Sequence, residues 1–194
     1  MFQSSTGVKY LFYINILIFI SMKLLSLFGV SFMEFALWDI GSPNFHWFQL
    51  ITSMFIHGGI FHIFGNMLAL LSLGPIVEER MTTKRFLFYY LFCGVIGGLL
   101  QSTLTVGPAV GASGAIWGIV MMFVLISPNM KLSLFLLPIG IKAKYLIGVL
   151  FLIELVSAFN GSSDNIGHFA HIGGGLTGAS LFLYERYISR NVNF

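Results

Sequence analysis

Polar and apolar positions along this chain fall into long blocks, not into the short periods of a water-facing helix or strand. Apolar runs cover about 10–31, 57–75, 86–104, 113–127, 145–160 and 166–185. A membrane helix needs about 20 mostly apolar residues. The pattern therefore predicts six spans, with the fourth and fifth short. Pro75 and Pro128 are expected to stop the second and fourth, because proline removes a backbone donor and clashes with the preceding turn.

The basic residues orient these spans. Lys9 precedes the first. Arg80, Lys84 and Arg85 lie between the second and third, and Lys131, Lys142 and Lys144 between the fourth and fifth. Arg186 and Arg190 follow the sixth, and the other three connections hold no Lys or Arg. Lys23 breaks the pattern, but about 21 Å of helix separates it from Lys9, so it can snorkel to the far interface. Basic loops stay cytoplasmic. The expectation is an all-α membrane protein with both termini cytoplasmic. All five histidines then fall in or near the outer half: His46, His57, His62, His168 and His171.

Composition agrees and narrows the classes. Charged residues make up 9% of the chain, hydrophobic residues 57%, and the mean hydropathy is +0.90. A soluble domain carries about 25% charged residues. One domain over 1–194 is expected, because no long polar stretch marks a second domain, a linker or a tail. The net charge of +3 is spread between apolar runs and forms no nucleic-acid patch. The single cysteine, Cys93, cannot form an internal disulfide and reads as a buried small side chain. The first run reads as a retained span: Lys23 interrupts it, and no A-x-A site follows.

Depth within the spans points to chemistry. Ser113 lies 15 residues before Pro128, about 22 Å up its helix. His171 lies 14 residues before Glu185, about 21 Å up the last helix. His62 and Asn66 lie 16 and 12 residues before Glu78, about 24 and 18 Å up the second. Four polar side chains on three spans thus reach one level of a hydrocarbon layer about 30 Å thick. Such groups in lipid face each other or a water-filled cavity. His62 and Asn66 are i and i+4 and share a helix face. Gly114/Gly118 and Gly174/Gly178 are GxxxG pairs, which let helix backbones approach closely. Spans four and six can then bring Ser113 to His171.

Each residue also has a plainer reading. A small residue such as Ser113 often serves packing, but it opens a short helix after the uncharged stretch 101–112, with Gly107, Pro108 and Gly111. Unpaired amides there can bind an oxyanion. His171 can be a satisfied polar residue or a base, and His168, one turn earlier, ranks second as base. Histidines can hold metal, but no HExxH occurs and no carboxylate completes an obvious set. No metal and no cofactor are expected. Glu154, mid-span, is a proton-relay carboxylate or a hydrogen-bonded packing residue, and packing is favoured. Phe86 to Phe92 read as lipid-facing or packing bulk. Trp117 is packing, or a ring on which His171 stacks.

At these residues the chain resembles the rhomboid intramembrane serine proteases. HGGIFHIFGN (His57 to Asn66) is similar to the family's HxxxxHxxxN. GASG (Gly111 to Gly114) resembles its GxSG, and AHIGGGLTG (Ala170 to Gly178) its AHxxGxxxG. FHWFQLITSMFIHGG resembles the approach to the second helix, so the likeness runs from about 45 to 185. It implies a six-helix rhomboid-like bundle of the minimal bacterial type.

The resemblance further implies that Ser113 is the nucleophile and His171 the base and later acid, a dyad without an aspartate. His62, Asn66 and the Ser113 amide would bind the oxyanion. Gly111 would allow close backbone passage, Trp117 would support the His171 ring, and His57 would be structural. The first loop departs from the family, since Trp47 is followed by Phe48 and the loop has no arginine. That puts its bonding scheme in question.

The expected reaction is cleavage of single-span membrane proteins near the outer end of their helix, in the cell (plasma or inner) membrane. Substrate would enter from the bilayer between spans two and five and unwind locally, since helical backbone is otherwise hydrogen-bonded. The expected partners are these substrates and the lipid bilayer, with no nucleic acid and no metal. A catalytically dead client-binding relative would have lost Ser113 or His171. A transporter with a histidine relay would carry ionisable groups on toward the cytoplasmic side.

Overall fold

The computed structural model describes residues 5–134, 137–161 and 166–191. Among them, seven helices occur in the order α1 (Thr6–Ser26), α2 (Gln49–Thr52), α3 (Ile60–Glu78), α4 (Thr83–Leu104), α5 (Ser113–Ile126), α6 (Ala143–Asn160) and α7 (His168–Asn191). α1, α3, α4 and α6 are long and apolar enough to cross a membrane, and α5 is a shorter apolar helix. The chain ends, 1–4 and 192–194, expected to be cytoplasmic, lie outside the described residues.

The fold is all-helical in class, as expected, with one addition and two corrections. Strands β1 (Lys131–Leu134) and β2 (Leu137–Lys142) form a short antiparallel hairpin between α5 and α6, with Lys131 opposite Lys142. Their apolar run is too short to span lipid, and pairing satisfies its backbone instead. Pro75 does not stop the second span, since α3 runs on to Glu78 with Pro75 inside it. Proline forfeits one bond to the preceding turn, a loss that membrane helices tolerate. The first span is shifted: α1 ends at Ser26, before Gly29 takes a φ of +80°.

α5 is the centre of the bundle. It is hemmed in by α3, α4 and α7, and Ala115, Ile116, Ile119, Met122 and Phe123 are buried in the core. Its contact with α7 is glycine on glycine. A Cβ on Gly174 would stand 1.9 Å from the Gly114 carbonyl oxygen, and one on Gly178 2.2 Å from that of Gly118. α4 joins the seam at Gly97, where a Cβ would stand 2.5 Å from the Ala170 carbonyl oxygen. No side chain fits between backbones this close.

At the end of the bundle away from Ser113, Glu78 accepts from the amides of Gly7 at 2.8 Å and Val8 at 3.0 Å. A carboxylate at a helix N-terminus satisfies orphan donors and complements the helix dipole. It also accepts from the Thr83 hydroxyl at 2.7 Å, so one side chain ties α1 to the turn between α3 and α4. Glu185 ties α7 to α4 at the same end, accepting from the Tyr89 hydroxyl and pairing with Arg85.

The first loop, 27–59, is organised by Gln49. Its side chain is fully buried. Oε1 accepts from the amides of His46 at 3.1 Å and Trp38 at 3.3 Å, and Nε2 donates to the carbonyls of Asn44 at 2.8 Å and Glu34 at 2.9 Å. The loop is then pinned to the segment before α5. Leu37 and Ala109 exchange both backbone bonds, the Ile40 amide donates to Ser102, and the Gly107 amide donates to Asp39 Oδ1. Gln49→Leu is expected to loosen this loop. Each polar group left dry costs about 1–3 kcal/mol. Thermal unfolding in detergent should shift down, and limited proteolysis within 27–48 should speed up.

Candidate active site

The backbone before α5 is set by Gly111. Its φ is +125°, a region that side chains rarely adopt, and its amide donates to the Ser53 carbonyl at 2.9 Å. A Cβ there would stand 2.6 Å from His62 Nε2 and 3.8 Å from Ser113 Oγ. Gly111 thus keeps the His62 ring and the Ser113 hydroxyl on one small space. Ser113 is the first residue of α5, so its amide has no intrahelical acceptor.

Across the glycine seam, α7 delivers His171. Its Nε2 lies 2.7 Å from Ser113 Oγ. That is the reach required between a hydroxyl nucleophile and its base. Trp117, one turn along α5, has its ring centroid 5.9 Å from that of His171 at an interplanar angle of 33° and packs on Phe151 behind it. It is both packing and a ring beside the histidine. Gly174 and Gly178 set the closeness of approach described above.

Ser113 and His171 border a cavity of about 440 Å³, lined also by His62, Gln101, Gly111 and Gly114 among others. Asn66 follows His62 by one turn of α3. It is buried, and its Nδ2 has no hydrogen-bond partner among the described residues, but it does not line the cavity. His57 lies in the connection before α3, with its ring centroid 5.0 Å from that of His62. Burial, and the His62 ring beside it, push its pKa down to about 4, so it is neutral at pH 7. His46 stands apart, stacked on Phe48.

Two residues matter more than the sequence reading allowed. Gln101 Oε1 accepts from the Ala170 amide at 3.1 Å, and its Nε2 donates to the Thr105 hydroxyl, which ties α4 to the start of α7. A polar side chain near the end of an apolar run was its only signal. Glu154 of α6 is the larger surprise. Its Oε2 lies 2.5 Å from His168 Nδ1 and 2.9 Å from His171 Nδ1. The sequence offered no carboxylate to these histidines, yet the fold brings one. The three could hold a metal ion, since each offers one ligand atom within 4.8 Å of the others. The short approach to a single oxygen suits a shared proton better. Ligands around tetrahedral zinc would stand about 3.3 Å apart.

A family model described as the Rhomboid domain matches residues 44–187. The chain is 37% identical over 137 residues to "Rhomboid protease GluP" of Bacillus subtilis, covering 69% of this chain and 26% of that protein. It is 32% identical over 153 residues to "Rhomboid protein 1, mitochondrial" of Saccharomyces cerevisiae, covering 74% and 42%. It is 28% identical over 144 residues to "Putative rhomboid protease YdcA" of Bacillus subtilis, covering 71% and 68%. The matches thus span under half the length of the first two relatives. The matched segment holds all three motifs and both partners of the 2.7 Å contact, and with its apolar helices this chain is an integral membrane protein that belongs to the rhomboid family.

Proposed function

We propose that this chain is an intramembrane serine endopeptidase that cleaves single-span membrane proteins near the outer end of their helix. The observation that carries the reading is the contact between Ser113 Oγ and His171 Nε2 at 2.7 Å, at the edge of a cavity inside an apolar bundle. The protease names of its relatives support it.

In this reading α1, α3, α4, α5, α6 and α7 are six spans with cytoplasmic ends. Arg80, Lys84, Arg85 and Arg186 lie at the bundle end away from Ser113, which favours a cytoplasmic place for that end in a cell membrane. His171 takes the Ser113 proton as Oγ attacks the scissile carbonyl. It then returns a proton to the leaving amine. Water enters through the cavity and completes hydrolysis by the same steps. The Ser113 amide, His62 and the unpartnered Asn66 Nδ2 are the donors for the oxyanion. Access from lipid between α3 and α6 is favoured by the loose seating of α6, whose buried residues are Ala143 and Ile147 alone.

The test is cleavage of a generic single-span substrate by the purified chain in liposomes, with the cut mapped along the substrate helix. A cut in its outer third supports the reading, and no cut in several substrates together with no labelling of Ser113 by a fluorophosphonate overturns it. His62→Ala and Asn66→Ala should each lower kcat by about 10²-fold with little change in KM, the usual loss for one oxyanion donor. Single-turnover rates on the same substrate measure it.

A further inference from the structure

We propose that Glu154 is a positioning residue for His171, so that the site works as Ser113–His171–Glu154. The proposal rests on the Ser113–His171 reading above. A carboxylate in mid-span is costly unless it is partnered or functional. Glu154 sits on α6 and reaches α7, against the ring edge of His171 opposite Ser113: Nε2 faces the serine and Nδ1 faces Glu154.

His171 Nδ1 is buried and makes no hydrogen bond of good angle, although Glu154 Oε2 is 2.9 Å away. The carboxylate is at ion-pair distance and obliquely aimed. Catalytic hydrogen bonds are often misaligned before substrate binds, and tighten as charge develops. The other groups facing the His171 ring are Ser113 and Trp117 of α5, His168 of α7 and, from α3, His62. Among the described residues Glu154 alone pairs a negative charge with it. His168 Nδ1 lies 2.5 Å from the same oxygen and gives the carboxylate a second partner.

The steps balance without any added reactant. Ser113 Oγ bonds to the scissile carbon while its proton moves to His171 Nε2, and the carbonyl electron pair moves onto oxygen. The imidazolium then carries protons on both nitrogens. Glu154 orients Nδ1–H and offsets the positive charge, and takes no proton itself. Nε2–H next protonates the amine as the C–N bond breaks. A carboxylate 2.9 Å from Nδ1 favours the proton on that nitrogen and leaves Nε2 as the free base, so Glu154 favours the tautomer that the serine needs.

The test compares the wild-type chain with Glu154→Gln and Ser113→Ala in detergent, on one single-span substrate. Gln keeps the shape, removes the charge and can present an amide donor to Nδ1. The expected result is a kcat about 10²-fold lower with KM within about twofold, near the low end of acid–base contributions. Fluorophosphonate labelling of Ser113 should slow in parallel while the melting temperature holds. An active wild type with Glu154→Gln at equal kcat overturns the proposal and leaves the dyad intact. So does a variant that loses melting temperature but not kcat, which marks a packing residue.

If Glu154→Gln does not fold, Glu154→Asp against Glu154→Asn decides. Activity in Asp above Asn supports a role for the charge, and equal activity overturns it. A wild type that neither cleaves nor labels brings down the dyad reading itself, and this proposal with it.

Discussion

Ser113→Ala and His171→Ala should each abolish cleavage, with kcat falling about 10³-fold or more. Oγ is the atom that would form the covalent bond, and among the described residues no other hydroxyl makes the 2.7 Å contact with His171 Nε2. His168 is no substitute base, because it lies one turn before His171 on α7, while the Ser113 hydroxyl meets His171 Nε2. Residues that act as a unit lose their effect together, so the double variant should be no worse than either single one. Gel-based cleavage in liposomes measures this over a wide range of rates. Folding should be unaffected by Ser113→Ala, so equal melting temperatures must accompany the loss. Residual cleavage in Ser113→Ala at more than a few per cent of the wild-type rate would place the nucleophile elsewhere.

The second large effect is structural. Gly174→Val should remove activity by prying α7 from α5. Even the first added carbon would stand 1.9 Å from the Gly114 carbonyl oxygen. Backbone cannot swing aside as a flexible side chain can, so the helices must separate. Ser113 and His171 sit on opposite sides of this seam, and a shift of about 1 Å can cost about 10²-fold in rate. Overpacking within a core costs about 1–3 kcal/mol, and more where backbone is struck. Gly65→Ala is the matched control. Gly65 lies in α3 with nothing within 4 Å of its added carbon, so the change should be neutral or slightly stabilising. Melting temperature and cleavage, measured side by side, separate the two. Equal behaviour of Gly174→Val and Gly65→Ala would show that the seam does not position the dyad.

Both effects were foreshadowed by spacing in the sequence. GxxxG pairs on the fourth and sixth spans signalled close approach, and i, i+4 spacing put His62 and Asn66 on one face. Depth counted in helical rise set Ser113 level with His171. What spacing could not carry is contact between distant side chains. Glu154 looked like an isolated carboxylate because its partners, His168 and His171, lie on another helix. Gln49 carried no signal in the sequence, because its four hydrogen bonds go to backbone groups up to 15 residues away. Pro75 misled for a different reason. A proline rule derived from water-exposed helices overstates the break near the end of a helix held by its neighbours. The hairpin β1–β2 was missed because its strands are short and uniformly apolar near the turn, a pattern with no period to read.

The fastening of the first loop to the segment before α5 bears on how the site comes into being. The Asp39–Gly107 bond joins residues 68 apart. The Leu37–Ala109 exchange lies beside it. Long-range closures carry an entropic cost that must be met before their contacts give anything back, so they tend to form late. The loop that shapes the Gly111 turn, and through it the setting of Ser113, is therefore expected to be fixed after the helices it joins have packed. A chain stalled short of that point has its helices but no arranged nucleophile, so the hydrolytic chemistry proposed here is withheld until assembly is complete.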